Sequence, residues 1–128
     1  MDEKRPWKRV VIAGCRNYTA YQEAKEYMDF CLSHIRKEHT IIIVSGVADG
    51  ADALGERYAR ENGFAIERYP ADWEQYGKSA GPIRNREMAQ VADYVICFWD
   101  GESRGTKSMI EFAKQYGKPI RIKRIKRS

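Results

Sequence analysis

Two unbroken apolar runs, Val10-Val11-Ile12-Ala13 and Ile41-Ile42-Ile43-Val44, each halted by a glycine-bearing turn, decide which architectures are open to this chain. A strand with one wet face alternates apolar and polar residues, whereas a strand without alternation is covered on both faces. Covering both faces of a sheet takes helices above and below it, joined to the strands by crossover connections that make neighbouring strands parallel.

The intervening sequence supplies those helices. Tyr21, Ala24, Met28, Cys31 and Ile35 recur at steps of three and four, so they form one apolar stripe while Glu23, Lys25, Glu26 and Lys37 stay wet. Ala51, Leu54 and Tyr58 begin a second stripe. Pro82 suits the first turn of a third helix running to about Val91, because a first-turn residue has no intrahelical acceptor for its N–H. Thr106 is placed to cap a fourth helix, with Met109, Phe112, Ala113 and Tyr116 inward. Further strands are expected at Phe64 to Tyr69, Tyr94 to Trp99 and Pro119 to Ile122, and a polar-aromatic loop from Ala71 to Ala80 carries Asp72, Trp73, Tyr76 and Gly77. The expected fold is α/β: a Rossmann-like three-layer sandwich with a mainly parallel five-stranded sheet.

At 128 residues, 43% hydrophobic and 32% charged, the chain is expected to form a single domain over residues 1–128. The net charge of +5 is local: Arg121, Lys123, Arg124, Lys126 and Arg127 fall in the last eight residues, and the preceding 120 hold 18 bases and 18 acids. The basic C-terminal end, 121–128, is therefore read as a solubilising tail, and nucleic-acid binding is expected only through it. Three widely spaced cysteines without a Cys-x-x-Cys pair fit a reducing, cytoplasmic setting. No apolar run approaches the roughly 20 residues that span a bilayer. His34 and His39 lack metal-ligand spacing, so no metal is expected.

In a sheet of this kind the strand-to-helix loops collect at the carboxyl edge, where ligands bind near the topological switch point. The special residues follow that rule: Gly14-Cys15-Arg16-Asn17 after the first strand, Ser45-Gly46-Val47-Ala48-Asp49-Gly50-Ala51-Asp52 after the second, Gly81-Pro82-Ile83-Arg84-Asn85 before the third helix, and Gly101 to Thr106 after the fourth strand. Glycines let the backbone approach a ligand, helix starts offer unpaired amides, and Arg16, Arg84 or Arg104 supply charged forks, which together suit a phosphate. The candidate binding residues are Gly14, Arg16, Ser45, Gly46, Gly50, Asp52, Gly81, Arg84, Asn85, Gly105 and Thr106. Asp52 suits either ribose hydroxyls or the helix start itself, and Trp73 and Tyr76 either a base or the core. Cys15 is read as a small loop residue rather than a nucleophile. Neither Gly-x-Gly-x-x-Gly nor Gly-x-x-x-x-Gly-Lys-Ser/Thr occurs, which disfavours classical NAD enzymes and P-loop ATPases.

On Gly14-Cys15-Arg16, Ser45-Gly46-x-Ala48-x-Gly50-Ala51-Asp52, Ala71-Asp72-Trp73, Gly81-Pro82-x-Arg84-Asn85 with Met88, Ala92-Asp93 and Ser103-x-Gly105-Thr106, the chain resembles the SLOG superfamily. This Rossmann-like group is named after the Smf/DprA and LOG proteins, and the likeness is greatest to its YspA and YpsA-related branch over about residues 8 to 122. Two departures are Cys15 where serine is usual and Val47 where a second glycine is usual. The resemblance implies a sensor or processor of nucleotide-derived ligands, with a nucleotide as the expected ligand and a homo-oligomer as a possible state.

The LOG relatives hydrolyse the N-glycosidic bond of nucleoside monophosphates with an arginine and a glutamate around Pro-Gly-Gly-x-Gly-Thr-x-x-Glu. Arg84 matches the arginine, but Met109 occupies the glutamate position. A methionine transfers no proton, so phosphoribohydrolase activity requires Glu102 or Glu111 to substitute; no catalytic residue is assigned, Arg84 and Glu111 being the candidates. Binding without turnover is the leading expectation. LOG-like hydrolysis and DprA-like single-stranded nucleic-acid binding are the alternatives.

Overall fold

The computed structural model describes residues 5–126. Five strands run β1 (Trp7–Gly14), β2 (Thr40–Ser45), β3 (Ala65–Arg68), β4 (Tyr94–Trp99) and β5 (Ile120–Arg124). Four 12-residue helices connect them: α1 (Tyr21–Leu32), α3 (Ala51–Asn62), α5 (Ala80–Val91) and α6 (Arg104–Gln115). Two short helices, α2 (Ile35–Glu38) and α4 (Trp73–Tyr76), lie in the connections.

The sheet order is β3-β2-β1-β4-β5 with every pairing parallel, as expected for a Rossmann-like α/β fold. After β1 the chain builds outward through β2 and β3, then returns to pair β4 with the other side of β1. The reversal leaves a crevice between the carboxyl ends of β1 and β4.

Register explains the apolar runs. Val10 lies beside Ile43, and Val11 lies between Val44 and Val95. Because successive side chains point to opposite faces, Val10, Ile12, Ile41, Ile43, Ile96 and Phe98 pack with Met28 and Leu32 of α1 and Tyr58 of α3. Val11, Ala13, Val44, Val95 and Cys97 pack with Met88 of α5 and Met109 and Ala113 of α6. Each fully buried aliphatic side chain contributes about 1.5–3 kcal/mol by leaving water. Helix α3 rides so close to the sheet that a Cβ at Gly55 would lie 2.7 Å from the Ile12 Cβ.

Several boundaries differ from the sequence reading. The segment from Ala71 to Ala80 is not irregular: Asp72 accepts from the Gln75 amide at 3.2 Å to cap α4, and a 3-10 turn at Gly77–Ser79 leads into α5. Helix α5 starts at Ala80, so Gly81 and Pro82 lie inside its first turn. The apolar stripe of the first helix breaks after Leu32, and Ile35 belongs to α2. Ser103, not Thr106, caps α6, accepting from the Thr106 amide at 3.4 Å.

The largest correction concerns the basic end. Arg121, Lys123 and Arg124 lie on β5, and Ile125 is buried in the core with its amide donating to the Trp99 carbonyl at 2.9 Å. A basic segment that pairs with β4 and anchors an isoleucine is a sheet edge rather than a tail; Arg127 lies outside the described residues, as do residues 1–4. Among the described residues no helix is long and apolar enough to cross a membrane.

Candidate functional site

A cleft of about 350 Å³ opens at the crevice between the ends of β1 and β4. Gly14, Arg16 and Asn17 form one wall, Asp52 and Arg84 a second, and Ser103, Gly105 and Thr106 a third. Ala13, Met88 and Met109 give it an apolar floor, with Asn85 and Asp100 at the sides. Its volume is at the low end of the roughly 300–1,000 Å³ of small-molecule sites. A second cleft of about 320 Å³ adjoins it, sharing Arg16, Ala48 and Arg84 and extending to Gly46, Val47, Pro70 and Trp73.

The loops are stitched together before any ligand arrives. The Cys15 amide donates to the Phe98 carbonyl at 3.1 Å, and the Ala51 amide to the Cys15 carbonyl at 3.1 Å, binding the ends of β1, β2 and β4. Gly50, at φ +74°, lies where a Cβ would strike the Cys15 and Arg16 backbone, and a Cβ at Gly14 would lie 2.8 Å from the Ala51 Cβ. These two glycines are required by loop contact alone.

Gly46 has a different reason. A Cβ there would lie 2.7 Å from Arg84 Nη1 and 2.8 Å from Asp52 Oδ2, so the missing side chain makes room for a guanidinium and a carboxylate. Arg84 is half-buried; its Nη1 donates to the Gly46 carbonyl and its Nε to Asn85 Oδ1 at 3.0 Å. Asn85 Nδ2 in turn donates to the Gly105 carbonyl at 3.3 Å, linking α5 to the first turn of α6.

Asp52 is buried, and its Oδ2 accepts from the Ala48 amide at 3.1 Å. Burial pushes its carboxyl up to about 6, against the Ala48 amide and the charges of Arg84 and Arg16, which favour the ionised form. Burial likewise pulls the Arg84 guanidinium down from its ordinary value, with Asp52 opposing. Each group is thus incompletely compensated by the other. The same cleft receives the first turn of α6, whose amides at Arg104 and Gly105 have no intrahelical acceptor and carry the positive end of the helix dipole.

Of the eleven residues singled out in the sequence, Gly14, Arg16, Asp52, Arg84, Asn85, Gly105 and Thr106 meet in the first cleft, and Gly46 lines the second. Ser45 does not reach either: it is 1% exposed, donates to Glu56 Oε2 at 2.7 Å and accepts from the Val47 amide at 3.0 Å. A Cβ on Gly81 would stand 3.5 Å from Trp73 Cη2, an ordinary contact, and Gly50 serves the loop contact. Glu111 is exposed on the outer face of α6, 4.0 Å from Lys107 and off the cleft, so it is not placed to replace the missing acid. Met109 does line the cleft. Ala48, Met88 and Ser103, which stand in the motifs of the resemblance but not among the eleven, also line the cleft; sequence reasoning missed Asp100, whose available signal was an Asx-type turn, its Oδ1 accepting from Glu102 and Ser103 amides at 2.9 and 2.8 Å.

Comparison with known proteins gives consistent matches. Residues 8–76 match the YAcAr family, described as the YspA, cpYpsA-related SLOG family. Gene 61 protein of Mycobacterium phage D29 is 34% identical over 120 residues, covering 88% of this chain and 94% of that protein. Among solved structures, DNA processing protein A from Helicobacter pylori, described by its single-stranded DNA binding mode, superposes with a TM-score of 0.65 at 25% identity over 97% of this chain and 69% of its own. The structural-genomics protein TM1055 superposes with a TM-score of 0.63 at 22% identity over 88% and 72% of the two chains, a likeness of fold.

Proposed function

Because this chain belongs to the YspA, cpYpsA-related SLOG family, we propose that it binds a nucleotide or nucleotide-derived ligand at the crevice between β1 and β4. The observation that carries the reading is Arg84: a half-buried, incompletely compensated guanidinium sharing one cleft with the start of α6. An anion there supplies the charge that Asp52 alone does not, and accepts hydrogen bonds from amides with no partner in the helix. The apolar floor of Ala13, Met88 and Met109 suits the less polar part of the same ligand.

Binding rather than hydrolysis is supported by Met109, which lines the cleft and stands where the resembling LOG motif has its glutamate. The test is calorimetric titration with nucleoside mono-, di- and triphosphates, followed by chromatography of the recovered ligand. Intact ligand and at least tenfold weaker binding by Arg16→Gln, an exposed side chain whose loss leaves no buried charge, are expected. Free base in the recovered ligand turns the conclusion to the hydrolase. No binding at millimolar concentration defeats the reading.

A second reading, single-stranded nucleic-acid binding, is favoured by the likeness to the Helicobacter pylori protein and by the exposed cations Arg121, Arg124 and Lys126 at the sheet edge. Its signature is affinity that falls steeply with salt.

A further inference from the structure

The two clefts at the carboxyl edge are not separate sites. They share Arg16, Ala48 and Arg84, and from that common wall one runs toward α6 while the other runs toward Trp73. A single mononucleotide-sized ligand fills one cleft of about 350 Å³ and leaves the adjoining 320 Å³ to water.

The second cleft has the character of a ring subsite. Trp73 is 51% exposed and lines this cleft, with the edge of its ring, at Cη2, toward Gly81 of α5. Pro70 and Ala71 line the same cleft. A half-exposed indole lining a cleft is suited to stacking on a flat or ring-shaped group. The shared wall carries both arginines, while the first cleft adds the side chains of Ala13, Met88 and Met109 and the second adds Pro70, Ala71 and Trp73 beside Asp49, so the anionic part of a ligand belongs in the middle and a ring at each end.

Resting on the nucleotide-binding reading above, we infer that the ligand has two ring-bearing moieties joined through a phosphate or pyrophosphate bridge. The bridge lies at Arg16 and Arg84, one moiety over the Ala13–Met88–Met109 floor and the other against Trp73. Nucleoside monophosphates are then partial ligands.

The experiment compares each monophosphate with the pyrophosphate-linked nucleotide sugar of the same base: AMP with ADP-ribose, GMP with GDP-mannose, UMP with UDP-glucose, with ADP, GDP and UDP as charge controls. For at least one base the linked compound is expected to bind about tenfold more tightly than both the mono- and diphosphate. In Trp73→Ala that advantage is expected to fall to about twofold or less, and in Trp73→Phe to be largely retained. Circular dichroism of both variants checks that the fold is intact. If a monophosphate binds and its linked counterpart gains nothing, or the gain survives in Trp73→Ala, the two-moiety inference is overturned while the nucleotide site stands. If none of the compounds binds, both are overturned.

Discussion

Val47 is the one non-glycine residue with positive φ among the described residues, at +62°. A β-branched side chain is poorly suited to that conformation, because its Cβ crowds the neighbouring carbonyl. The sequence marks the position, since glycine is usual there in the family it resembles. Val47→Gly is expected to raise stability by about 1 kcal/mol, the relieved strain exceeding the extra freedom of glycine in the unfolded chain, as read by urea denaturation. Asp52 gives a pH signature. Its carboxyl titrates near 6 when folded and near 4 when unfolded, so between those values the folded chain holds a proton that the unfolded chain has released. Its contribution is therefore most favourable at and below pH about 4 and declines by up to about 3 kcal/mol as pH rises through 6. Asp52→Asn removes that decline: the difference in unfolding free energy between pH 5 and pH 7.5 should shift toward the high-pH side in the variant, and an unchanged difference would mean that Asp52 ionises freely. The titration of Asp52 was not readable from the chain, where it is one more acid near a helix start.

At the scale of elements, caps and turns position the site. Ser103 closes the start of α6 with its hydroxyl on the Thr106 amide, and its own carbonyl accepts from Trp99 Nε1 at 3.1 Å, so the cap also locks the end of β4. Ser103→Ala is expected to cost about 1 kcal/mol in urea denaturation, and Ser103→Asp to restore most of it. Gly50 is the stricter position. Substitution by alanine combines a disfavoured φ with collision against backbone that belongs to the loop after β1, so Gly50→Ala should cost about 3 kcal/mol or more and lower the thermal midpoint steeply. The sequence reads the elements well where an apolar period runs unbroken, as in β1, β2 and α6. It fails at the start of α6, where the pattern points to Thr106 as the cap although Ser103, also a capping type, lies three residues earlier and is where the chain leaving β4 enters the helix.

For the whole molecule, the incorporation of β5 changes how the nucleic-acid reading is tested. Removing residues from Arg121 onward takes away the β4 partner strand and Ile125 from the core, so truncation is expected to destabilise the fold itself. Charge substitution is the cleaner experiment: Arg121→Gln with Lys126→Gln keeps the strand, and if this edge tracks phosphates the affinity for single-stranded DNA should fall with a shallower salt dependence, whereas unchanged binding removes the edge from the reading. The layering was legible in the chain alone, because unbroken apolar runs are poorly suited to a half-wet sheet and the stripes between them repeat at the helical period. The sequence also marked the carboxyl-edge loops through their glycines and arginines. What it left open was the reason for each of those residues: Gly14 and Gly50 answer to loop contacts, Gly46 to Arg84 and Asp52, Ser45 to Glu56, and Glu111 to solvent. These reasons come from the folded chain, since local pattern reports periodicity and turn chemistry, whereas the pairing of residues 38 positions apart, as in Arg84 and Gly46, exists only once the sheet has brought their loops to one edge.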